Sequence, residues 1–391
     1  MNRATNELGE SGVNSLLSEE QAALEQFCQK LLEKEWPLEK AVKVLGTEKA
    51  GHSPELWKVL VEAGWLGLPF SPDLGGAGGD LIDLGLVYRA AGERLVPASF
   101  YARMFAALLV DRIGSDAQKQ DLLTAIIAGD RIATVAYSEP QAPENPRFFS
   151  TTAPRTGDGW VLNGVKAFVP YLDLADVVLV LARTRANSDR SGWGLFAVNR
   201  DALAGASRRT TTFGSEHLFE LTFDAVVLPA DALLGGTAAL TTTLGDFEDV
   251  VEQATALLCM EMVGGTSSVL TRTIDYVAER KQHGRELGTF QAVQHLLANV
   301  GIQLQGGRVA ALYALFQKAN GRAAPRDVAV AKIALGEAYS SATITAHQLW
   351  GAMGYARETG IYLWSERAKV TDAWFGTRAS HLRTLSSEMG L

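Results

Sequence analysis

Along the 391-residue chain the spacing of apolar side chains switches from a helical period to a strand period and then back again. A helix needs apolar residues every three to four positions and a half-buried strand every two, so each switch marks a change of architecture. From Leu17 to about Gly129 the period is helical. Ser18 is a capping residue with Glu19 and Glu20 in the turn it starts, where carboxylates meet the positive end of a helix. Pro54 to Leu60 opens another helix, which Gly64 ends. The Gly- and Pro-rich stretch 68–79 reads as a loop. Helices follow around Asp80–Arg94 and Ser99–Ile113, and a shorter one runs from Asp116 to Ile127.

The next segments are short: Ile132–Ser138, Ala167–Tyr171, Val177–Arg183, Trp193–Asn199 and Leu218–Val227. They are rich in Val, Phe, Thr and Leu and are punctuated by Gly, Asn, Asp and Pro, as strands are. Beyond Pro229 and Gly235-Gly236 the long helical stretches return, over Phe247–Glu279, Phe290–Asn320 and Asp327 to about Gln348. Pro325 precedes the third and Gly351 ends it, and a fourth begins over Leu363–Trp374. Helices of that length read as a bundle. The expected class is α+β in three parts: helical residues 1–131, a β-domain over 132–236 and helical residues 237–391.

Composition narrows the function classes. At 47% hydrophobic and 20% charged, the chain is too apolar to be disordered. A formal net charge of −8 argues against a nucleic-acid partner. Two cysteines, Cys28 and Cys259, are too few for a disulfide-built scaffold or a cysteine zinc ribbon. The uncharged run from Tyr339 to Ala356 contains Ser, Thr, His and Gln, so it reads as a buried helix running into a Gly turn rather than a membrane span. The N-terminus lacks the apolar stretch of a secretory signal and reads as a loose tail, so a soluble cytoplasmic protein with no membrane partner is expected.

Several common chemistries lack their motifs. There is no G-x-x-x-x-G-K-[ST], no H-E-x-x-H and no G-x-S-x-G. The six histidines form no ligand-spaced pair, so metal chemistry is not expected. The glycines at 75–79 follow a loop rather than a strand, which is the wrong context for a dinucleotide-binding turn.

What remains is a set of segments in fixed order. They are Gly64-Trp65-Leu66-Gly67-Leu68-Pro69 with Gly75-Gly76-Ala77-Gly78, then Ala136-Tyr137-Ser138-Glu139-Pro140, then Leu162-Asn163-Gly164-Val165-Lys166. After them come Glu279-Arg280-Lys281-Gln282-His283-Gly284-Arg285 with Phe290-Gln291-Ala292-Val293-Gln294-His295. Gln348-Leu349-Trp350-Gly351-Ala352-Met353-Gly354-Tyr355 and Ala368-Lys369 complete the series. Together they resemble the acyl-CoA dehydrogenases, flavoenzymes that desaturate acyl-CoA thioesters, and the resemblance runs from about Leu17 onward.

The resemblance implies a helical N-terminal domain, a central β-barrel or sandwich and a C-terminal four-helix bundle. It also implies FAD lying between the subunits of a dimer of dimers, an acyl-CoA substrate and an electron-transfer flavoprotein as acceptor. Tyr137 and Ser138 fall in the family's flavin-contacting segment, where the Ser138 hydroxyl stands for the usual Thr. Phe168 falls where the family usually has Trp against the flavin. Arg280, Gln282 and His283 match the segment that reaches the cofactor's pyrophosphate across the dimer, a task suited to a guanidinium. Gln348, Gly351 and Ala352 match the segment that meets the other end of the same FAD. Thr377, after Gly376, matches a flavin-contacting Thr.

Departures from the pattern leave the catalytic residue unassigned. The usual base is a Glu before the Gly-Thr pair, and here that position is Phe375, which accepts no proton. The alternative slot used by some members is Ala254. Glu252 lies about 160° round the helix from that slot, and Glu261 shares its face two turns deeper. Either is expected to be solvated or paired with a basic side chain. Pro143-Glu144-Asn145 replaces Gly-Ser-Asp, and Pro170 replaces a Thr that bonds flavin. Intact cofactor segments beside a missing base resemble the degenerate subunit of heteromeric acyl-CoA dehydrogenases in bacterial steroid or dicarboxylate degradation. A homo-oligomer with a non-standard base, or another flavin reaction on the same fold, is the alternative.

Overall fold

A computed structural model of the chain describes residues 17–48, 50–141, 146–185, 190–203, 207–322 and 324–391. The N-terminal helices are α1 (Glu19–Glu35), α2 (Pro54–Glu62), α3 (Leu81–Glu93) and α4 (Ser99–Ile113). Ser18 caps α1 and pairs reciprocally with Gln21. Asp80 does the same for α3 with Asp83, and both are capping boxes that satisfy orphan N–H groups at the helix start. A further helical run covers 116–127, its middle turn wound wider as a π-helix over Lys119–Leu123.

The central part holds two sheets. Strands β1 (Ala133–Ala136), β3 (Val177–Arg183) and β4 (Trp193–Asn199) form the first, with β1 parallel to β3 and β3 antiparallel to β4. Strand β2 (Gly159–Pro170) pairs antiparallel with β6 (Leu218–Leu228), and β6 in turn pairs with β5 (Ser207–Thr210). Leu162, Val169, Val180, Phe196, Leu221 and Phe223 are buried in a shared core between the sheets.

The C-terminal helices are α5 (Thr243–Glu279), α6 (Gln291–Ala319), α7 (Pro325–Trp350), α8 (Ile361–Ala373) and α9 (Arg378–Glu388). Helix α5 is apolar and long enough to cross a membrane, but 78% of its most apolar window is buried inside the fold. It is the shared core helix, with α3, α6 and α7 all packed against it. The α3–α5 crossing is made by glycines, since a Cβ at Gly92 would strike the carbonyl of Glu261 and one at Gly264 that of Arg89. Bare backbone lets two helices approach this closely.

Some elements differ from the sequence reading for physical reasons. Strand β2 begins at Gly159 rather than Ala167; Gly164 at φ +137° and two register shifts break the alternation that marks a strand. Strand β5 escaped because Ser207, Arg208 and Arg209 are exposed on a sheet edge and carry no apolar period. Helix α9 buries none of its residues, so it too left no apolar stripe to read. Helix α5 starts at Thr243, four residues before Phe247.

Candidate functional site

A cavity of about 500 Å³ lies where the three parts meet. Its walls come from the end of β1 (Tyr137, Ser138), the end of β2 (Phe168, Pro170), the β5–β6 connection (Thr210 to Phe213 and Glu216), Ala102 and Phe105 of α4, and the turn leaving α8 (Trp374 to Thr377). Most of this wall is apolar.

The β1 end is held from behind by a buried ion pair. Glu139 and Lys166 are fully buried, with Lys166 Nζ 2.8 Å from Glu139 Oε1. The ammonium also donates to the Tyr137 carbonyl at 2.9 Å, and Glu139 accepts from the N–H groups of Ser150 (2.6 Å) and Thr151 (3.0 Å). Burial alone would raise the Glu139 carboxyl, but Lys166 and these donors outweigh it and hold the group at about 2. The Ala167 N–H donates to the Ser138 carbonyl at 2.9 Å, which fastens the end of β1 to β2.

Phe168 sits in the register shift between Lys166 and Val169 with φ +57°, and half of its surface is exposed at the cavity. A non-glycine residue rarely holds that conformation, and an aromatic face left open beside a cavity is a stacking surface. Pro170 offers no donor, and its carbonyl accepts from the Thr134 hydroxyl. Phe375, φ +55°, lines the cavity with its ring edge-on to Phe105 at 4.9 Å. Thr377 lines it too, and its hydroxyl accepts from the Ser380 N–H at 3.4 Å as the N-cap of α9.

Four of the expected cofactor residues, Tyr137, Ser138, Phe168 and Thr377, therefore meet in one cavity with Phe375 and Pro170. The other six do not join it. Arg280 ends α5, with Gln282 and His283 in the small hairpin that follows, and all three are exposed. Gln348 lies in the last turn of α7, Gly351 caps that helix at φ +59°, and both are exposed with Ala352. The two groups neighbour each other, because Tyr276, one turn before Arg280, stacks on Trp350 at 4.1 Å with 10° between the rings. The segment Pro143-Glu144-Asn145 lies outside the described residues.

Neither alternative carboxylate is free. Glu252 pairs with Lys318 at 2.5 Å. Glu261 is fully buried and accepts from Arg367 Nη1 at 3.4 Å. Arg367 also lies 4.0 Å from Glu216 Oε1 and donates to the Val96 carbonyl at 3.2 Å. Ala254 is buried. The residue that sequence reasoning passed over is Glu216, a buried carboxylate that lines the cavity while its Oε2 has no hydrogen-bond partner. No local signal marks it, since a Glu just before a strand reads as a turn residue.

The chain matches the N-terminal domain profile of the acyl-CoA dehydrogenases over residues 18–130, the middle-domain profile over 134–226 and the C-terminal domain profile over 248–390. It belongs to the acyl-CoA dehydrogenase family. Acyl-CoA dehydrogenase FadE12 of Mycobacterium tuberculosis is 30% identical over 358 residues, covering 88% of this chain and 87% of that one. The glutaryl-coenzyme A dehydrogenase–glutaryl-CoA complex superposes with a TM-score of 0.88 at 23% identity, over 96% of each chain. The FAD complex of PigA does so with a TM-score of 0.87 at 22% identity, over 96% of this chain and 98% of that one. The family makes this an oxidoreductase of CH–CH groups with FAD as cofactor. The cavity fits that group: it offers an exposed aromatic face at Phe168, mostly apolar walls and the hydroxyl-bearing residues Ser138 and Thr210 to Thr212 in its lining, chemistry that suits a flat ring with a polar edge.

Proposed function

We propose that this chain serves the Cα–Cβ desaturation of an acyl-CoA thioester as a subunit that lacks its own catalytic base, in a hetero-oligomer with a second acyl-CoA dehydrogenase-like chain. FAD supplies the electron acceptor of such a reaction. The observation that carries the reading is Phe375, whose ring lines the cavity against Phe105 at the position the resemblance gives to the base, and can take no proton. Tyr137, Ser138, Phe168 and Thr377 are the residues assigned here to the chain's own cavity and its flavin. Exposed Arg280, Gln282, His283, Gln348, Gly351 and Ala352 are assigned to a cofactor shared across a subunit contact. Further support is the apolar row Ile302, Val309, Tyr313 and Phe316 along one side of α6, exposed by 47–71% in the single chain. Such a row calls for a covering surface.

The rest of the reading follows from the family. The boundaries fall at about 131 and 236, the assembly is a tetramer, the acceptor is an electron-transfer flavoprotein, and the setting is cytoplasmic breakdown of fatty-acyl or steroid side chains. Co-expression with the partner chain tests it. A stable mixed complex with about one FAD per two chains is expected, since each complete site draws on two subunits. Purification of this chain alone with flavin that acyl-CoA bleaches would sink the idea.

One observation favours a second reading, a homo-oligomer with a non-standard base. Glu216 is the carboxylate among the described residues lining the cavity, and its Oε2 is unpartnered. In that case Glu216→Gln lowers the rate of flavin bleaching by acyl-CoA by about 100-fold or more, while FAD content is unchanged. Stopped-flow absorbance near the flavin band measures it. On the first reading Glu216→Gln leaves the residual rate of the isolated chain unchanged.

A further inference from the structure

We infer that Lys332 is the positioning residue that holds the α8–α9 turn, and with it the Phe375 wall of the cavity, in its left-handed conformation. Lys332 lies on α7 and is 1% exposed. Its ammonium donates to three backbone carbonyls, those of Asp372 (3.2 Å), Trp374 (2.9 Å) and Gly376 (3.1 Å). These carbonyls belong to alternate residues, so the chain curls around one cation.

Each contact has a physical reason. Asp372 lies in the last turn of α8, where carbonyls have no intrahelical partner and the helix end carries partial negative charge. Trp374 is already extended, at φ −69° and ψ 140°. Phe375 at φ +55° and Gly376 at φ +109° then reverse the chain, and Thr377 caps α9. A phenylalanine does not hold a left-handed conformation unless its surroundings over-determine it. Carbonyls on both sides of Phe375 bound to one buried ammonium supply that constraint. The helix stays close enough for this reach because α7 presents Gly336 to the same stretch, where a Cβ would strike the Asp372 carboxylate.

The consequence is specific. Trp374, Phe375, Gly376 and Thr377 all line the cavity, so a buried cation outside the cavity lining sets the shape of one of its walls. The link to FAD rests on the assignment of this cavity to the flavin.

Hydrogen exchange of the full chain, read by mass spectrometry with and without FAD, tests the inference. In Lys332→Met the amides of 374–378 exchange at least about tenfold faster while those of α6 keep their rates, because only the turn has lost its constraint. FAD binding weakens by about tenfold or more in the same variant. Adding Phe375→Gly restores part of the protection at 376–378, since glycine takes the left-handed conformation without strain. Unchanged exchange over 374–378, uniform acceleration across all helices, or no rescue by the glycine would each overturn the proposal. If the methionine variant does not fold, Lys332→Gln, whose shorter neutral side chain cannot bridge all three carbonyls, is read in the same way. Should the chain bind no FAD, the exchange experiment still decides the role of Lys332, so the two failures are separable.

Discussion

Replacing Phe375 by glutamate is expected to raise the rate at which an acyl-CoA bleaches the flavin bound to this chain by about 100-fold or more, the usual contribution of a well-placed general base. Phe375 lines the cavity at the end of α8, and its ring packs against Phe105 and Trp374. A carboxylate at the same Cβ would stand among those apolar neighbours, where desolvation makes it a better proton acceptor than in water. Phe375→Gln is the control, since it has the same shape and no basicity, and its bleaching rate is expected to match the unaltered chain. Stopped-flow absorbance with each variant, after acyl-CoA binding has been verified, gives the answer. A glutamate variant that binds acyl-CoA yet reduces flavin no faster would mean that erosion elsewhere also blocks the reaction, with Pro170 the nearest candidate in the cavity wall.

The second large effect concerns stability. Arg367 is a buried cation between two buried carboxylates, Glu261 and Glu216. Arg367→Met fills much of the same volume but strands both, and breaking a buried pair this way costs about 3–5 kcal/mol. Urea unfolding at neutral pH measures the loss, and a change under about 1 kcal/mol would show that the cluster contributes little.

The same cluster fixes a pH dependence. Burial pushes the Glu261 carboxyl up to about 7, with Arg367 pulling it back only in part. An unfolded Glu titrates near 4.3, so between about 4 and 7 the folded chain holds a proton that the unfolded chain has released. This contribution to stability is complete at the acid end of that window and is lost as the pH rises through it. Glu261→Gln removes the slope; Arg367→Met, which takes away the cation that lowers Glu261, extends it to higher pH.

Local signals carried much of the fold. Helix α4 spans Ser99–Ile113 as the apolar spacing predicts, and the Ser18 cap sits where its side chain implies. The first half of β2 was illegible because Gly164 and the buried Lys166 interrupt the alternation, and Lys166 has its reason only in Glu139, far away in sequence. Helix α9 and strand β5 have too little buried surface to print a period. The site divides along the same line. Tyr137, Ser138, Phe168 and Thr377 were readable from their motifs, and the fold brings them together. Glu216 and Lys332 act through contacts with residues about 150 and 40 positions away, which no spacing rule along one chain exposes.

The glycine crossing of α3 and α5 has a bearing on how such a chain can change its diet of acyl groups. Gly92 and Gly264 leave no room for even a methyl group between the two backbones, so any side chain at either position would force the helices apart. On the function proposed above, acyl groups of different size are accommodated by exchanging side chains on the cavity's own walls, such as Ala102 and Phe105 on α4 or the Thr210 to Phe213 connection. In evolutionary terms the glycine crossing is a fixed gauge, and the lining is the part of the frame free to vary without moving it.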